Sequence, residues 1–239
     1  MAQSATPHPA STVVLVRPDA NGRFEILMNR RPEKMDAYPS VYVFPGGRVD
    51  RSDWSAEMMG LTCGLTPSAA QEKFGVELDP ELCLGHWVAA VRELFEEVGI
   101  HFFLPRDGAV TDLVQQEIFA RLGERRSALQ QGKIDLPTLL LSERLCCDVS
   151  PLAYFYHRIT PEHYLVRFDT RFYLAALPPD QSPLHASEEV SESLWISPKD
   201  ALERSQSGKF PMMPPTVAVL RNLSSHRSLA ELREVFSLR

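Results

Sequence analysis

One nine-residue run constrains this chain more than any other: Arg92-Glu93-Leu94-Phe95-Glu96-Glu97-Val98-Gly99-Ile100. At about 3.6 residues per turn, Glu93, Glu96 and Glu97 stand at i, i+3 and i+4 and share one helix face. Three carboxylates there repel one another, and each like-charge i,i+4 pair costs a helix roughly 0.2–0.5 kcal/mol. Something must compensate. A hard divalent cation such as Mg²⁺ or Mn²⁺ takes oxygen ligands, and Mg²⁺ is typically held by one or two carboxylates together with waters and substrate phosphates. Val88, Val91, Phe95 and Val98 recur at helical spacing on the other side, which predicts a buried stripe holding the carboxylates rigidly. Gly99 sits where such a helix stops. For the three glutamates alone, an amphipathic helix with a solvated acidic face is the plainer alternative.

Upstream, Phe44-Pro45-Gly46-Gly47 offers two glycines that permit a backbone approach a Cβ would block; a plain turn would look the same. With Arg92, Leu94 and Gly99 added, the pattern resembles the Nudix box, G-x5-E-x7-R-E-U-x-E-E-x-G-U, where U is a bulky aliphatic residue. The right half is complete. The left half is interrupted: Arg92 lies 45 positions after Gly47 where the box puts it 14 after, an insertion of 31 residues. The sixth residue after Gly47 is Asp53 rather than Glu, and counting back from Arg92 puts Leu84 at that position. Asp53 or Glu81 replaces the outlying Glu only after a shift in geometry. In the family the helix glutamates carry most of the metal binding, which makes the loss tolerable.

An interrupted box resembles one branch in particular, the peroxisomal coenzyme A diphosphatase nudix motif 19 and its bacterial relatives. Further matches lie in Tyr42-Val43-Phe44-Pro45-Gly46-Gly47-Arg48-Val49-Asp50, Ile159-Thr160-Pro161, Arg167-Phe168-Asp169-Thr170-Arg171-Phe172-Tyr173 and Pro214-Pro215-Thr216, so the resemblance runs from about Thr12 to Phe236. It implies an α+β Nudix fold, an α/β/α sandwich around a mixed β-sheet, with extra helical insertions. It also implies Mg²⁺- or Mn²⁺-dependent hydrolysis of a diphosphate linkage in coenzyme A or an acyl-CoA, yielding 3′,5′-ADP and (acyl-)4′-phosphopantetheine. Glu93, Glu96 and Glu97 are the expected metal ligands, joined by a backbone carbonyl at Gly46. Arg92 is expected to pair with a carboxylate and fix its rotamer, a surface salt bridge being the alternative. Glu188 and Glu189 are candidates for a base or extra ligand from a later loop, against a solvated acidic loop. Arg30, Arg31 and Arg48, flanking strand ends near Gly47, are candidates to grip the phosphates by bidentate hydrogen bonds. ADP-ribose or a nucleotide sugar would share the chemistry. A non-catalytic ligand-sensing module is the reading from another class; the intact glutamate set and the lack of a basic helix-turn-helix weigh against it.

At 239 residues and 44% hydrophobic, the chain can bury one sizeable core, expected over residues 11–239 with helical insertions at about 51–83 and 111–145. A net charge of −6 argues against nucleic acid, whose binders carry a basic footprint. Cys63, Cys83, Cys146 and Cys147 show no C-x-x-C spacing, and the vicinal pair is expected to serve as small-hydrophobe packing. Residues 1–10, Pro-rich and polar, are expected to be disordered and lack the features of a signal peptide. Ser237-Leu238-Arg239 is not a peroxisomal address of the S-K-L type, and no apolar run reaches membrane-spanning length, so a cytoplasmic protein is expected.

Strands are predicted at 12–16 and 24–28 around a turn at 18–22, at 41–44, 152–158, 167–176 and 192–196. Helices are predicted from Thr66-Pro67, from Ser197-Pro198, from Pro214 and over 228–236, each with a capping residue or an early Pro. The 51–83 insertion is expected to form a small helical cap beside the active site. The 111–145 region, with a break at Leu136-Pro137, is expected to frame a pocket for a substrate longer than a nucleotide or to serve a homodimer interface.

Overall fold

The computed structural model describes residues 5–34, 38–106, 112–184 and 190–238. Its central sheet grows from a continuous apolar run. Strand β1 (His8–Pro18) pairs in parallel with β9 (Phe168–Ala176) from His8 opposite Phe168 to Val16 opposite Ala176. Strand β2 (Phe24–Arg30) returns antiparallel to β1 after the predicted turn. With β10 (Glu192–Ile196) outside β2 and β8 (Ala153–Ile159) outside β9, the strand order is β10-β2-β1-β9-β8. Two short strands complete it: β3 (Tyr42–Val43) on β2 and β4 (Gly46–Arg48) on β1. Residues 8–10, expected in a disordered start, are the first rungs of β1 and pair with β9, Ala10 pairing with β4 as well.

Alternation along these strands sorts the core into two layers, as a period of two requires. Val13, Leu15, Leu27, Tyr173 and Ala175 face helix α3 (Pro80–Val98). Val14, Val16, Ile26, Met28, Phe172 and Leu174 face α6 (Pro198–Gln206), α7 (Pro214–Leu223) and α8 (Leu229–Phe236). The result is the expected α/β/α sandwich, with β1 buried on both faces and accordingly apolar on both.

The insertion after Gly47 departs from the cap predicted for it. It forms a single 3-10 turn (Arg51–Trp54), α1 (Ala56–Met59), β5 (Thr62–Cys63) and α2 (Pro67–Phe74), and its last residues open α3 itself. Met58, Leu61 and Ala70 sit in the same core layer as α3, and the Phe74 ring stacks on Trp87 at 4.7 Å. A Cβ on Gly85 would lie 2.7 Å from Trp54 Cβ, so only glycine lets the turn lie this close to the helix. Met58, Leu61, Ala70 and Cys83 thus tie the insertion into the core, while most of its other residues are half-buried or exposed.

The second helical region divides into α4 (Asp112–Gln130) and α5 (Leu136–Ser142). Pro137 lies in the first turn of α5, capped by Asp135, so the predicted break falls just before it, between the end of α4 at Gln130 and the start of α5 at Leu136. Leu145, predicted to be helical, begins β7 (Leu145–Asp148), which pairs with β5 and with β6 (Phe103–Pro105) in an unpredicted second sheet of order β5-β7-β6. Cys147 is buried there, while the half-buried Cys63 and Cys146 sulfurs face each other at 3.2 Å. Among the described residues no helix is long and apolar enough to cross a membrane.

Candidate active site

Helix α3 is cut to length by its own ends. Asp79 caps the start by accepting the Leu82 N–H at 3.0 Å, Pro80 occupies the first turn, and Gly99 closes the helix in the left-handed region at φ 75°. Its last carbonyls, which have no partner within the helix, are claimed by α4. Arg126 donates to Phe95 O at 2.8 Å and Glu97 O at 3.0 Å, and Gln130 donates to Glu96 O at 2.6 Å. A cation at a helix C-terminus also suits the dipole. The turn carrying the glutamates is thus fixed from behind by side chains that the pattern of the box does not reveal.

Arg92 is the hub of the site, and it is buried, contrary to the surface-bridge alternative. Its Nε and Nη2 donate to the two oxygens of Asp53, each at 2.9 Å, in a bidentate pair. Nη2 also donates to Arg48 O at 2.7 Å, and Nη1 to Glu93 Oε1 at 2.9 Å and to Glu96 at 3.4 Å. Burial alone would lower the Arg92 pKa, but Asp53, Glu93 and Glu96 together hold it well above its usual value. Asp53 is completely buried and also accepts the Asp50 N–H at 2.8 Å. Burial pushes its carboxyl upward against the pull of Arg92. Asp53 thus stands where the box has its outlying Glu. Its shorter side chain reaches Arg92 because the turn at 51–54 brings its backbone inward, and no shift of Glu81 is involved.

Glu93 is buried, and burial pushes its carboxyl up to about 7, with Arg92 opposing and Glu96 adding to the rise. Burial likewise raises Glu96. Glu97 Oε2 accepts the Asn29 Nδ2 at 3.0 Å, and Asn29 Oδ1 in turn accepts Ser193 Oγ–H at 2.8 Å. Asn29 was missed in the sequence. A buried Asn following the apolar Ile26-Leu27-Met28 on a strand is the signal that would have found it, because Asn is disfavoured there unless its amide is satisfied.

The two glycines divide their work. A Cβ on Gly47 would lie 2.3 Å from Glu93 Oε1, so this position must be glycine for the carboxylate to lie against β4. Gly46, at φ 156°, presses on Ser11 O and Thr12 in β1. Of the three candidate arginines, Arg48 contacts His8 at 2.9 Å and contributes its carbonyl to Arg92, and Arg30 lies 3.8 Å from Glu33. Arg31 has no ion pair among the described residues, and its Nε is buried without a partner. Glu188 and Glu189 lie outside the described residues.

The donors offered to a metal are all oxygens: Glu93, Glu96 and Glu97, with the backbone beside Gly47. No three Asp, Glu, His or Cys side chains among the described residues close into a cage on their own. An all-oxygen donor set is of the kind that suits Mg²⁺ or Mn²⁺, which complete their shells with water and substrate oxygens. A cleft of about 450 Å³ opens beside Glu96 and Arg92, walled by Asp50, Lys133 and Asp135. The α4–α5 connection, residues 132–135, lines this cleft.

Comparison with known proteins agrees with this geometry. Residues 2–223 match the family model of the NUDT19 Nudix domain. The chain is 31% identical to an acyl-coenzyme A diphosphatase NUDT19 of Gallus gallus, over 90% of this chain and 65% of that protein. It is 30% identical to the human protein of the same name, over 91% of this chain and 64% of the other. The chain thus spans a little less than two thirds of these curated relatives. A crystal structure of a NUDIX hydrolase from Alicyclobacillus acidocaldarius superposes with a TM-score of 0.73 at 30% identity, covering 98% of both chains.

Proposed function

The chain belongs to the Nudix hydrolases as a member of the NUDT19 Nudix domain family, and we propose that it hydrolyses the diphosphate linkage of coenzyme A or an acyl-CoA to 3′,5′-ADP and (acyl-)4′-phosphopantetheine. One observation carries the reading: a buried Arg92–Asp53 pair locks Glu93 beside Gly47 and leaves Glu96 and Glu97 on the same face of α3. Bound Mg²⁺ or Mn²⁺ would neutralise diphosphate charge and acidify a water there. Glu93, Glu96, Glu97 and the Gly46 carbonyl are its ligands in this reading.

The remaining roles belong to the chain. Arg92 touches no substrate; it is a positioning residue whose guanidinium fixes the Glu93 rotamer. Asn29 orients Glu97 by donating to its Oε2. In this reading the backbone at Gly47 faces the diphosphate, and Arg31 grips another phosphate of the substrate. Arg30 and Arg48 remain candidates for the outer phosphate oxygens, with Arg48 the weaker because His8 already engages it. Glu188 or Glu189 supplies the base. Burial raises the Glu93 carboxyl against the pull of Arg92, and a bound metal ion would help hold it ionised.

The test is a product analysis. Purified protein with Mg²⁺ or Mn²⁺ is given coenzyme A, acetyl-CoA, ADP-ribose, NADH and a UDP-sugar, and products are separated by mass. Release of 3′,5′-ADP chiefly from the CoA compounds is expected. Preference for ADP-ribose or a sugar nucleotide would discard the substrate and keep the chemistry, and turnover of none would favour a ligand-sensing module. Glu97→Gln should abolish turnover, and full activity in that variant sinks the metal assignment. Unchanged activity in Glu188→Gln and Glu189→Gln removes both as the base.

A further inference from the structure

Four sequence-distant motifs meet at one place that the catalytic face does not use. A cavity of about 390 Å³, within the roughly 300–1,000 Å³ range of small-ligand sites, lies on the sheet face opposite α3. Its walls come from Phe44 and Gly46, from Thr160 and Pro161 on the β8–β9 hairpin, from Phe168 and Phe172 on β9, and from Pro214-Pro215-Thr216 opening α7. Gly46 lines this cavity, while a Cβ on its neighbour Gly47 would meet Glu93. Strand β4 pairs only with β1 among the described residues.

The charge of this cavity is opposite to that of the protein. In a chain of net charge −6, its described lining carries Arg31, Arg158 and His163 and no carboxylate. Neither arginine has an ion pair among the described residues, and the Arg31 Nε is buried without a hydrogen-bond partner. A buried guanidinium nitrogen left unpaired is costly unless an anion completes it. The lining also carries Tyr38, Tyr164 and Phe168, which are not buried and on which a purine can stack, over a floor that includes the buried Phe44 and Phe172. The cleft on the other side, beside Glu96, carries Asp50 and Asp135 and suits groups that arrive with a cation.

We infer that this cavity binds the 3′-phosphoadenosine half of coenzyme A, its aromatic wall taking the adenine and Arg31 with Arg158 taking the 3′-phosphate. The inference rests on the coenzyme A reading above and adds which half enters where: the diphosphate crosses at Gly46-Gly47, and the pantetheine arm leaves along the cleft beside Glu96. Arg158 and Arg31 then set the preference for coenzyme A over its 3′-dephospho form.

Calorimetric titration of the full chain with 3′,5′-ADP and with 5′-AMP tests the cavity without any turnover. Binding of 3′,5′-ADP about tenfold tighter than AMP is expected, with the difference reduced toward unity in Arg158→Ala, an exposed position at the end of β8, and in Arg31→Ala. Equal binding of the two nucleotides, no binding of 3′,5′-ADP, or a difference that persists in both variants overturns the inference. Binding of 4′-phosphopantetheine that is lost in Arg158→Ala overturns it too, by placing the other half here. In turnover, the ratio of kcat/KM for coenzyme A over dephospho-coenzyme A should collapse in both variants. A protein that discriminates the nucleotides but cleaves no CoA compound loses the proposed function and keeps this subsite; one that cleaves coenzyme A without discriminating loses the subsite alone.

Discussion

Replacing Asp53 by Asn changes one atom's chemistry at the centre of the site while keeping its shape. The carboxylate accepts three hydrogen bonds: Arg92 Nε on one oxygen, and Arg92 Nη2 with the Asp50 N–H on the other. An amide in either orientation points its NH₂ at a donor, so at least one bond becomes a donor–donor contact. Removing one charge of a buried ion pair typically costs about 3–5 kcal/mol. Arg92 keeps Glu93 at 2.9 Å and Glu96 at 3.4 Å, which places the cost near the lower end. About 3 kcal/mol corresponds to a fall in Tm of roughly 6–12 °C for a chain of this size. Catalysis should suffer separately, because Glu93 is held by an arginine that is itself no longer held, and kcat should drop about tenfold or more. Thermal unfolding followed by circular dichroism, with steady-state kinetics at saturating Mg²⁺, reads both effects. Asp50→Ala is the control for stability: that carboxylate is exposed and 3.7 Å from Arg92, and its loss should move Tm little. If Asp53→Asn unfolds within about 2 °C of the parent and turns over normally, the buried pair does not organise the site and the reasoning fails.

Two further outcomes follow from the same geometry. Gly47→Ala puts a Cβ 2.3 Å from Glu93 Oε1 and must displace the carboxylate, so kcat/KM should fall by about a hundredfold with the fold retained; a fully active variant would show that Glu93 does not work from this position. Burial pushes His86 down to about 3 and His101 down to about 4, so between those values and the usual 6.5 the unfolded chain binds protons that the folded chain excludes. The two rings make stability rise with pH through that window and be lost on acidification below about 6.5, by up to roughly 1.4 kcal/mol per pH unit for each histidine, while Glu93, whose buried carboxyl is pushed up to about 7, keeps a proton in the folded chain that the unfolded chain has lost and offsets part of that slope. Urea titrations at pH 7, 6 and 5 of the parent and of His86→Gln measure it; the slope should flatten in the variant, and an identical slope in both would show that the His86 ring is not buried neutral.

Short-range signals were the ones the sequence carried. The carboxylate face of α3, its buried stripe and its stop at Gly99 are periodicity and capping, and Ser197, Ser228 and Thr66 each cap a helix where predicted. The paired apolar runs of β1, β2 and β9 follow from alternation, and with the box they gave the sandwich and its family. Strands β5 and β6, two and three residues long, have too little length for any period to show. Leu145 looked helical because an apolar residue next to a helix carries no mark of the strand partner that claims it.

What only the tertiary structure decided is which distant residues answer one another. Asp53 was weighed as a poor substitute for a missing Glu, yet it reaches Arg92 across 39 positions because a 3-10 turn, packed through Gly85, carries its backbone inward. Whether Arg92 was surface or hub, whether the insertion was lid or core, and which of Arg30, Arg31 and Arg48 stands free beside a cavity all depend on burial, which is a property of contacts between segments. The sequence by itself determined the chemistry this protein can present, because residue type and helical spacing place three carboxylates on one face. The fold determined where that chemistry is held and what can reach it, because partners tens to more than a hundred residues apart meet only when the sheet closes.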